Sequence, residues 1–263
     1  MAAIELDGIG LRYPGQPHHT LKNISLTLED DGSTVIIGPS GCGKTSLLNI
    51  VAGFIQPTEG RLLREKQILT KPGADRVVVF QDDALMPWLD VADNVALGLK
   101  IRGRPAAERR MAALEALEKV GLAHAAEKQI WELSGGMRQR VGIARALAVH
   151  SAFLLLDEPF GALDAFTREQ MQELVLHIWQ HQQTALFLIT HDIEEALLLA
   201  TRLVLMAPHP GSIAEVIEPD FSSRWRQGAS VRDIKSAKDF IELREYLFYK
   251  LMARTPANYE VSI

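Results

Sequence analysis

Residues Gly38 to Thr45 read Gly-Pro-Ser-Gly-Cys-Gly-Lys-Thr, a glycine-rich loop with the spacing G-x-x-x-x-G-K-T. An apolar run, Thr34 to Ile37, leads into it, and a helical pattern, Ser46 to Ile50, leads out. A strand entering and a helix leaving such a loop gather the free N–H groups of the first helical turn at one spot, where the positive end of the helix dipole favours a phosphate. Gly38, Gly41 and Gly43 let the backbone close around the anion, with Pro39, Ser40, Cys42 and Ser46 completing the cradle. Lys44 supplies a point charge for the β and γ phosphates, and the Thr45 hydroxyl can join the coordination shell of Mg2+. The expected ligand is a nucleoside triphosphate. Cys42, close to that helix N-terminus, is expected to have a lowered thiol pKa and to react with thiol reagents.

Two further constellations narrow the chemistry. In Phe153-Leu-Leu-Leu-Asp157-Glu158, four apolar residues make a buried strand whose end presents two carboxylates. Asp157 can reach the magnesium shell, and Glu158 can orient or deprotonate a water, a pairing that favours hydrolysis over transfer to a bound acceptor. The segment Leu133-Ser134-Gly135-Gly136-Met137 reads as another helix start, with a capping hydroxyl and two glycines. The chain therefore carries a second helix end suited to an anion, far in sequence from the first.

These residues need strands and helices to hold them. Five short β-rich apolar runs, Thr34 to Gly38, Val77 to Gln81, Phe153 to Asp157, Ala185 to Thr190 and Leu203 to Met206, are spaced for a parallel sheet with helical crossovers, so the fold class is α/β. Ahead of them Ile4 to Leu6, Leu11 to Tyr13 and Ile24 to Leu28 predict a small antiparallel sheet. A mainly helical insertion is expected at about 82–150, including a helix opened by Pro105 with Met111, Leu114 and Leu117 on its apolar side and Gly121 at its stop, and one starting at Ser134. The expected division is a domain over 1–207 and a tail over 208–263 with one amphipathic helix, about Ser236 to Met252, bearing Phe240, Leu243, Leu247 and Leu251.

Composition excludes several classes. Net charge is −5 with no long basic block, which argues against nucleic acid as a partner. The cluster Lys100, Arg102, Arg104, Arg109, Arg110 reads as a solvated loop and helix start. No run approaches the ~18 apolar residues of a membrane span. The N-terminal residues lack the pattern of a signal peptide, and Cys42 has no second cysteine to pair with, so the expected place of the chain is the cytosol.

Taken together the motifs resemble the ATP-binding cassette (ABC) family. Leu133-Ser134-Gly135-Gly136 looks like its signature motif, Tyr13 like the aromatic residue that stacks on adenine, and Gln81 like the glutamine that reaches magnesium and water. Gly161-Ala-Leu-Asp164 looks like the loop that crosses the dimer interface, and Thr190-His191-Asp192 like the switch histidine that contacts the γ-phosphate. The resemblance implies a phosphate-loop NTPase with a RecA-like core, an N-terminal antiparallel β subdomain and an inserted α-helical subdomain. It implies ATP and Mg2+ as cofactors, with Glu158, His191 and Gln81 catalytic and Thr45, Gln81 and Asp157 around the metal. It further implies a head-to-tail dimer in which Ser134, Gly135, Gly136 and Asp164 act on the nucleotide of a second copy. With no membrane span fused, the resemblance is to bacterial importers, whose ATPase sits on the cytoplasmic face of the inner membrane and works with a separate membrane permease and, indirectly, a periplasmic solute-binding protein.

Phe160 to Arg168, Ile189 to Ala196 and Pro208-His-Pro-Gly211 resemble the nitrate/sulfonate/taurine branch, and Ile130-Trp131 with the tail Ile234 to Tyr246 look most like its taurine members. Import of nitrate or another small anion stays open, because none of these residues need touch the solute. Met137 departs from the commoner glutamine after the signature glycines and removes a polar group. Ala84-Leu-Met-Pro-Trp88-Leu is the expected receiving surface for the permease. A DNA or chromosome clamp would need long coiled coils absent here, and a metabolite kinase would lack the signature.

Overall fold

The computed structural model describes residues 3–81, 84–182 and 184–253. The first two residues of the expected insertion, 82 and 83, and the end of the expected tail, 254–263, lie outside them. In chain order the strands and helices are β1 (Ile4–Leu11), β2 (Leu21–Leu28), β3 (Ser33–Ile37), α1 (Lys44–Ala52), β4 (Glu59–Arg64), β5 (Gln67–Ile68), β6 (Arg76–Val79), α2 (Val91–Ile101), α3 (Ala106–Lys119), α4 (Gly135–Ala148), β7 (Phe153–Asp157), α5 (Ala165–Gln182), β8 (Ala185–Thr190), α6 (Ile193–Leu199), β9 (Arg202–Ala207), β10 (Ser212–Ile217), α7 (Phe221–Arg226), α8 (Val231–Ser236) and α9 (Lys238–Met252).

Two sheets carry the fold. The six-stranded sheet has the order β10-β9-β3-β8-β7-β6, parallel except for β10. Every residue of β3, β7 and β8 is buried, as their unbroken apolar runs require of strands covered on both faces. The carboxyl ends of β3, β7 and β8 lead directly to the phosphate loop, to Glu158 and to His191, which is where open parallel sheets place ligands. The N-terminal sheet, order β2-β1-β4-β5, is antiparallel. There β1 runs on from the expected Ile4 to Leu6 through Gly8 to Leu11, its register shifting past Leu6 and Ile9 instead of ending, and of the run expected at Leu11 to Tyr13 only Leu11 is in a strand.

Between β6 and β7 lie α2, α3 and α4, which pack on one another. Asp90 caps α2 by accepting from the Asp93 N–H, and Ser134 caps α4 by accepting from the Met137 N–H at 3.3 Å. On α3 the expected apolar side is only partly right. Leu117 is buried, but Met111 and Leu114 are exposed, and the buried face is made by Ala113, Ala116 and Leu117. Alanines let α3 sit close to α2 and α4, which longer side chains would prevent.

The tail also departs from expectation. It contributes β10, paired antiparallel with β9, and two short helices, α7 and α8, before α9. Phe240 and Leu247 of α9 are fully buried, and Leu243 and Leu251 pack against the same core. These helices press on α6, the helix that follows His191. Glu194 on α6 is paired with Arg244 of α9 at 3.0 Å and Lys235 of α8 at 3.8 Å. No helix among the described residues is long and apolar enough to cross a membrane.

Candidate functional site

The phosphate loop wraps the start of α1 in a conformation that its glycines make possible. Gly41 and Gly43 have φ of 77° and 96°, and a Cβ on Gly43 would sit 2.5 Å from Leu21 Cδ2. Lys44 is buried, its ammonium donating to the carbonyls of Gly38 at 2.8 Å and Pro39 at 3.2 Å. Tyr13, at the end of the N-terminal sheet, shares a 3.1 Å hydrogen bond between its hydroxyl and Ser46 Oγ, so the aromatic ring stands at the rim of the loop.

A cavity of about 480 Å3 opens above the loop, lined by Thr20, Ser40, Gly41, Gly43, Lys44, Thr45, Ser46, Gln81, Glu158 and His191. It thus brings together Ser40, Gly41, Gly43, Lys44, Thr45 and Ser46 of the expected triphosphate cradle and the three expected catalytic residues, which come from four separate strand ends, while Gly38, Pro39 and Cys42 do not line it. Glu158 is their meeting point. Its Oε2 lies 3.0 Å from His191 Nδ1 and accepts from Gln81 Nε2 at 3.5 Å. Glu158 also has φ of 46°, an uncommon conformation for a residue with a side chain that costs on the order of 1 kcal/mol or more and persists only where the surroundings enforce it. Its N–H donates to the Ile189 carbonyl at 2.9 Å, and its own carbonyl accepts from Gly161 N at 3.3 Å and Gln139 Nε2 at 3.3 Å.

Asp157, at the tip of β7, is buried, and its Oδ1 has no hydrogen-bond partner among the described residues. Burial and the neighbouring Glu158 charge push its carboxyl up to about 6, against the opposing effect of a hydrogen bond with Thr45 and of the Lys44 charge. An orphaned carboxylate oxygen beside a threonine hydroxyl suits a hard divalent cation, so Thr45 and Asp157 fit magnesium.

Cys42 does not behave as its sequence position implies. It is fully buried, with its sulfur against Gly38, and burial pushes the thiol up, outweighing Lys44 and the helical N–H groups. The side chain is a piece of core, joined to the cluster of Ile36, Leu47 and Met206. A helix N-terminus lowers a thiol pKa only where water can still reach the thiolate.

Ser134, Gly135 and Gly136 do not line the cavity; Ser134 and Gly135 are exposed at the start of α4. Asp164 is also exposed, its carboxylate capping α5 by accepting from Thr167 N at 3.0 Å and Thr167 Oγ1 at 2.7 Å. Met137, in place of a polar residue, packs partly buried against the core. Two participants went unnoticed in the sequence. Thr20 lines the cavity and carries no motif. Gln139, buried on α4, donates to the Glu158 carbonyl and accepts from Ala162 N at 3.2 Å, tying the signature helix to the loop between Glu158 and Asp164.

Comparisons with known proteins agree with this geometry. A model of the ABC transporter family matches residues 21–161. The chain is 55% identical over 254 residues to the taurine import ATP-binding protein TauB of Chromobacterium violaceum, covering 97% of each chain. It is 54% identical to the protein of the same name from Pseudomonas entomophila, over 97% of this chain and 98% of that one. Among solved structures, a dimeric bacterial ABC transporter cassette superposes with a TM-score of 0.76 at 31% identity, over 82% of this chain and 98% of that one. A cassette dimer in a post-hydrolysis state bound to ADP and Pi superposes with a TM-score of 0.76 at 30% identity, over the same 82% and 98%.

Proposed function

The chain belongs to the ABC transporter family, and from that premise we propose that it is the ATP-hydrolysing subunit of an importer for taurine. The observation that carries the ATPase reading is the convergence of Lys44, Thr45, Gln81, Glu158 and His191 on one cavity that the capped, glycine-bearing helix end at Ser134 of the same chain does not line. That exposed helix end completes the site of a second copy in a head-to-tail dimer, where its N–H groups and the Ser134 hydroxyl face the γ-phosphate. The taurine reading rests on near-full-length identity above one half to taurine import proteins.

The residues divide the chemistry among them. Tyr13 stacks on the adenine, and Gly41, Gly43 and Lys44 hold the phosphates. Thr45, Asp157 and Gln81 would hold magnesium, which would neutralise charge on the phosphates when bound. Glu158 orients a water for in-line attack and draws off its proton, and His191 fixes the carboxylate from the other side. The strained backbone of Glu158 directs that carboxylate into the cavity and keeps it off the strand axis.

The permease docks beside the site. An apolar groove of about 430 Å3, lined by Val77, Phe80, Met86, Leu97 and Ile101 among others, lies next to Gln81 in sequence; at its lip Met86 opens the turn that carries Trp88, which is 74% exposed. Asn94, wholly buried on α2, holds this lip in place through bonds to Met86 N at 2.7 Å and to the carbonyls of Met86, Leu89 and Asp90. A partner of this kind sets the chain on the cytoplasmic face of the inner membrane, supplied from outside by a solute-binding protein.

The test is reconstitution. The chain with its permease and binding protein in proteoliposomes accumulates labelled taurine when MgATP is enclosed. Phosphate release without taurine accumulation overturns the solute assignment and leaves the ATPase standing, whereas no phosphate release overturns both.

A further inference from the structure

A smaller cavity of about 100 Å3 adjoins the nucleotide site, sharing Glu158 and His191 with it, and is lined also by Gly161, Arg168, Thr190 and Glu195 among others. Glu195 is the unexplained member. It sits in the first turn of α6, where a carboxylate normally faces water and the helix dipole, and its own N–H is already taken by the Asp192 cap at 3.0 Å. Its side chain instead turns inward and is 3% exposed. There it sits beside the hydroxyl of Thr190, next to His191, and the amide of Gln172, a buried residue two turns into the helix that starts after Asp164. Arg168, on the same helix, donates to the Leu163 carbonyl at 3.0 Å and so ties the cavity wall to the loop before Asp164.

We propose that Glu195 is a positioning residue of the nucleotide site: buried between Thr190 on one side and Gln172 on the other, it locks the His191 loop against the helix led by Asp164. The proposal rests on the reading that this site hydrolyses ATP. It gives His191, Glu158 and Asp164 one common frame, so that a shift of the Asp164 loop at a dimer interface reaches His191 without passing through the nucleotide.

Glu195 does this as a neutral acid. Burial and the Asp192 charge push its carboxyl up to about 8, while Thr190, Arg168 and Gln172 pull the other way. Its Oε1 and the Oε1 of Gln172 both lack a hydrogen-bond partner among the described residues, and a proton on the carboxyl turns one of these two buried acceptors into a donor. The charged or titratable groups around it are Asp192 and His191 in its own loop, Arg168 on α5 and Glu158 across the cavity; on the outer face of α6, Glu194 is occupied with Arg244 and Lys235. With the folded-state pKa above the ordinary 4.5 of glutamate, the contribution is complete below that value and lost as pH rises through about 8.

Three forms of the full chain decide the matter: wild type, Glu195→Gln and Glu195→Ala, each assayed for MgATP turnover from pH 6.5 to 9.5. Wild-type kcat falls about tenfold over the alkaline end. The glutamine, neutral at every pH and of the same shape, keeps kcat at pH 7 within about twofold and loses the alkaline fall. The alanine loses at least about tenfold in kcat with KM changed less than about threefold. A glutamine variant as impaired as the alanine, or one that keeps the wild-type alkaline fall, overturns the proposal. Amide hydrogen exchange at one pH gives a readout independent of turnover: the alanine accelerates exchange in peptides covering both 158–172 and 187–195, and the glutamine in neither. Unchanged exchange in the alanine variant overturns the proposal even if the wild type proves to have no ATPase, and an ATPase-negative wild type with accelerated exchange sinks only the functional premise.

Discussion

Replacing Gln139 with leucine tests whether the geometry around Glu158 is held by the signature helix. Gln139 is 4% exposed and makes two bonds, Nε2 to the Glu158 carbonyl at 3.3 Å and Oε1 from Ala162 N at 3.2 Å. Leucine has nearly the same volume, so the cavity contribution is small and the lost bonds dominate. The Glu158 carbonyl keeps its bond from Gly161, and Ala162 is exposed enough for water to reach its N–H, so neither group pays the full ~1–3 kcal/mol of a stranded buried group. The net loss is about 1–2 kcal/mol, which for a domain of this size lowers Tm by roughly 2–6 °C. The functional loss is larger. The φ of 46° at Glu158 is kept by its backbone bonds, and freeing one lets the residue relax and carry its carboxylate away from the water it orients. Misplacement of about 1 Å costs on the order of 100-fold. Phosphate-release kinetics with MgATP should therefore show kcat down 10- to 100-fold and KM within about threefold. A variant with wild-type kcat and a Tm lowered as calculated would refute the idea that Gln139 positions Glu158; an unchanged Tm as well would refute the bonds themselves.

Glu158→Gln keeps the shape and removes the base, so it should bind ATP with near-normal affinity, lose at least about 100-fold in turnover, and run as a dimer in gel filtration with MgATP; a monomer with full activity would contradict the assignment. Cys42 should resist alkylation in the native protein and react only on unfolding, with or without MgATP, because its thiol is wholly buried; rapid labelling with loss of activity would restore the exposed, acidic thiol. Asp157, with its folded pKa raised from 3.8 to about 6, contributes stability that is complete below 3.8 and lost as pH rises through about 6. In metal-free buffer Asp157→Asn should thus gain Tm over wild type at pH 7 and little at pH 4, and Mg2+ should raise Tm at pH 7 in the wild type alone; equal magnesium stabilisation of both would remove Asp157 from the metal site.

How much of this was readable in the sequence depends on how local each feature is. The phosphate loop was legible because eight contiguous residues fix their own geometry, and the parallel strands because Thr34 to Ile37, Phe153 to Leu156 and Ala185 to Thr190 are unbroken apolar runs. Gln81 and His191 were legible only through family resemblance, since what unites them with Glu158 is the neighbour order β3-β8-β7-β6, which no spacing along the chain reveals. The tail was under-read: α7 and α8 have six residues each, too few to display a helical period. Met111 and Leu114 were over-read, because size was weighed above fit on a helix that is buried through its alanines.

The polar residues that went unread share one signature. Gln139 precedes Gly142 and Ile143 by one turn, Gln172 precedes Val175 and Leu176, and Glu195 precedes Leu198 and Leu199, each a polar side chain placed on the buried stripe of its helix. Burying an amide or a carboxyl costs more than burying a leucine there, so such a choice is stable only where the group is bonded to something that leucine cannot hold. For Gln139 that something is the stretch from Glu158 to Asp164, and Glu195, beside Thr190 and Gln172, stands next to the loop of His191. The stretch itself, Glu158-Pro-Phe-Gly-Ala-Leu-Asp164, buries only Pro159, Phe160 and Leu163 and cannot be anchored by apolar contact alone. It is moored instead by polar tethers from α4, α5 and β8 and by His191. A site built in this way responds to movement of any of those helices, which is the property a motor subunit needs if hydrolysis is to be coupled to a partner bound some distance from the nucleotide.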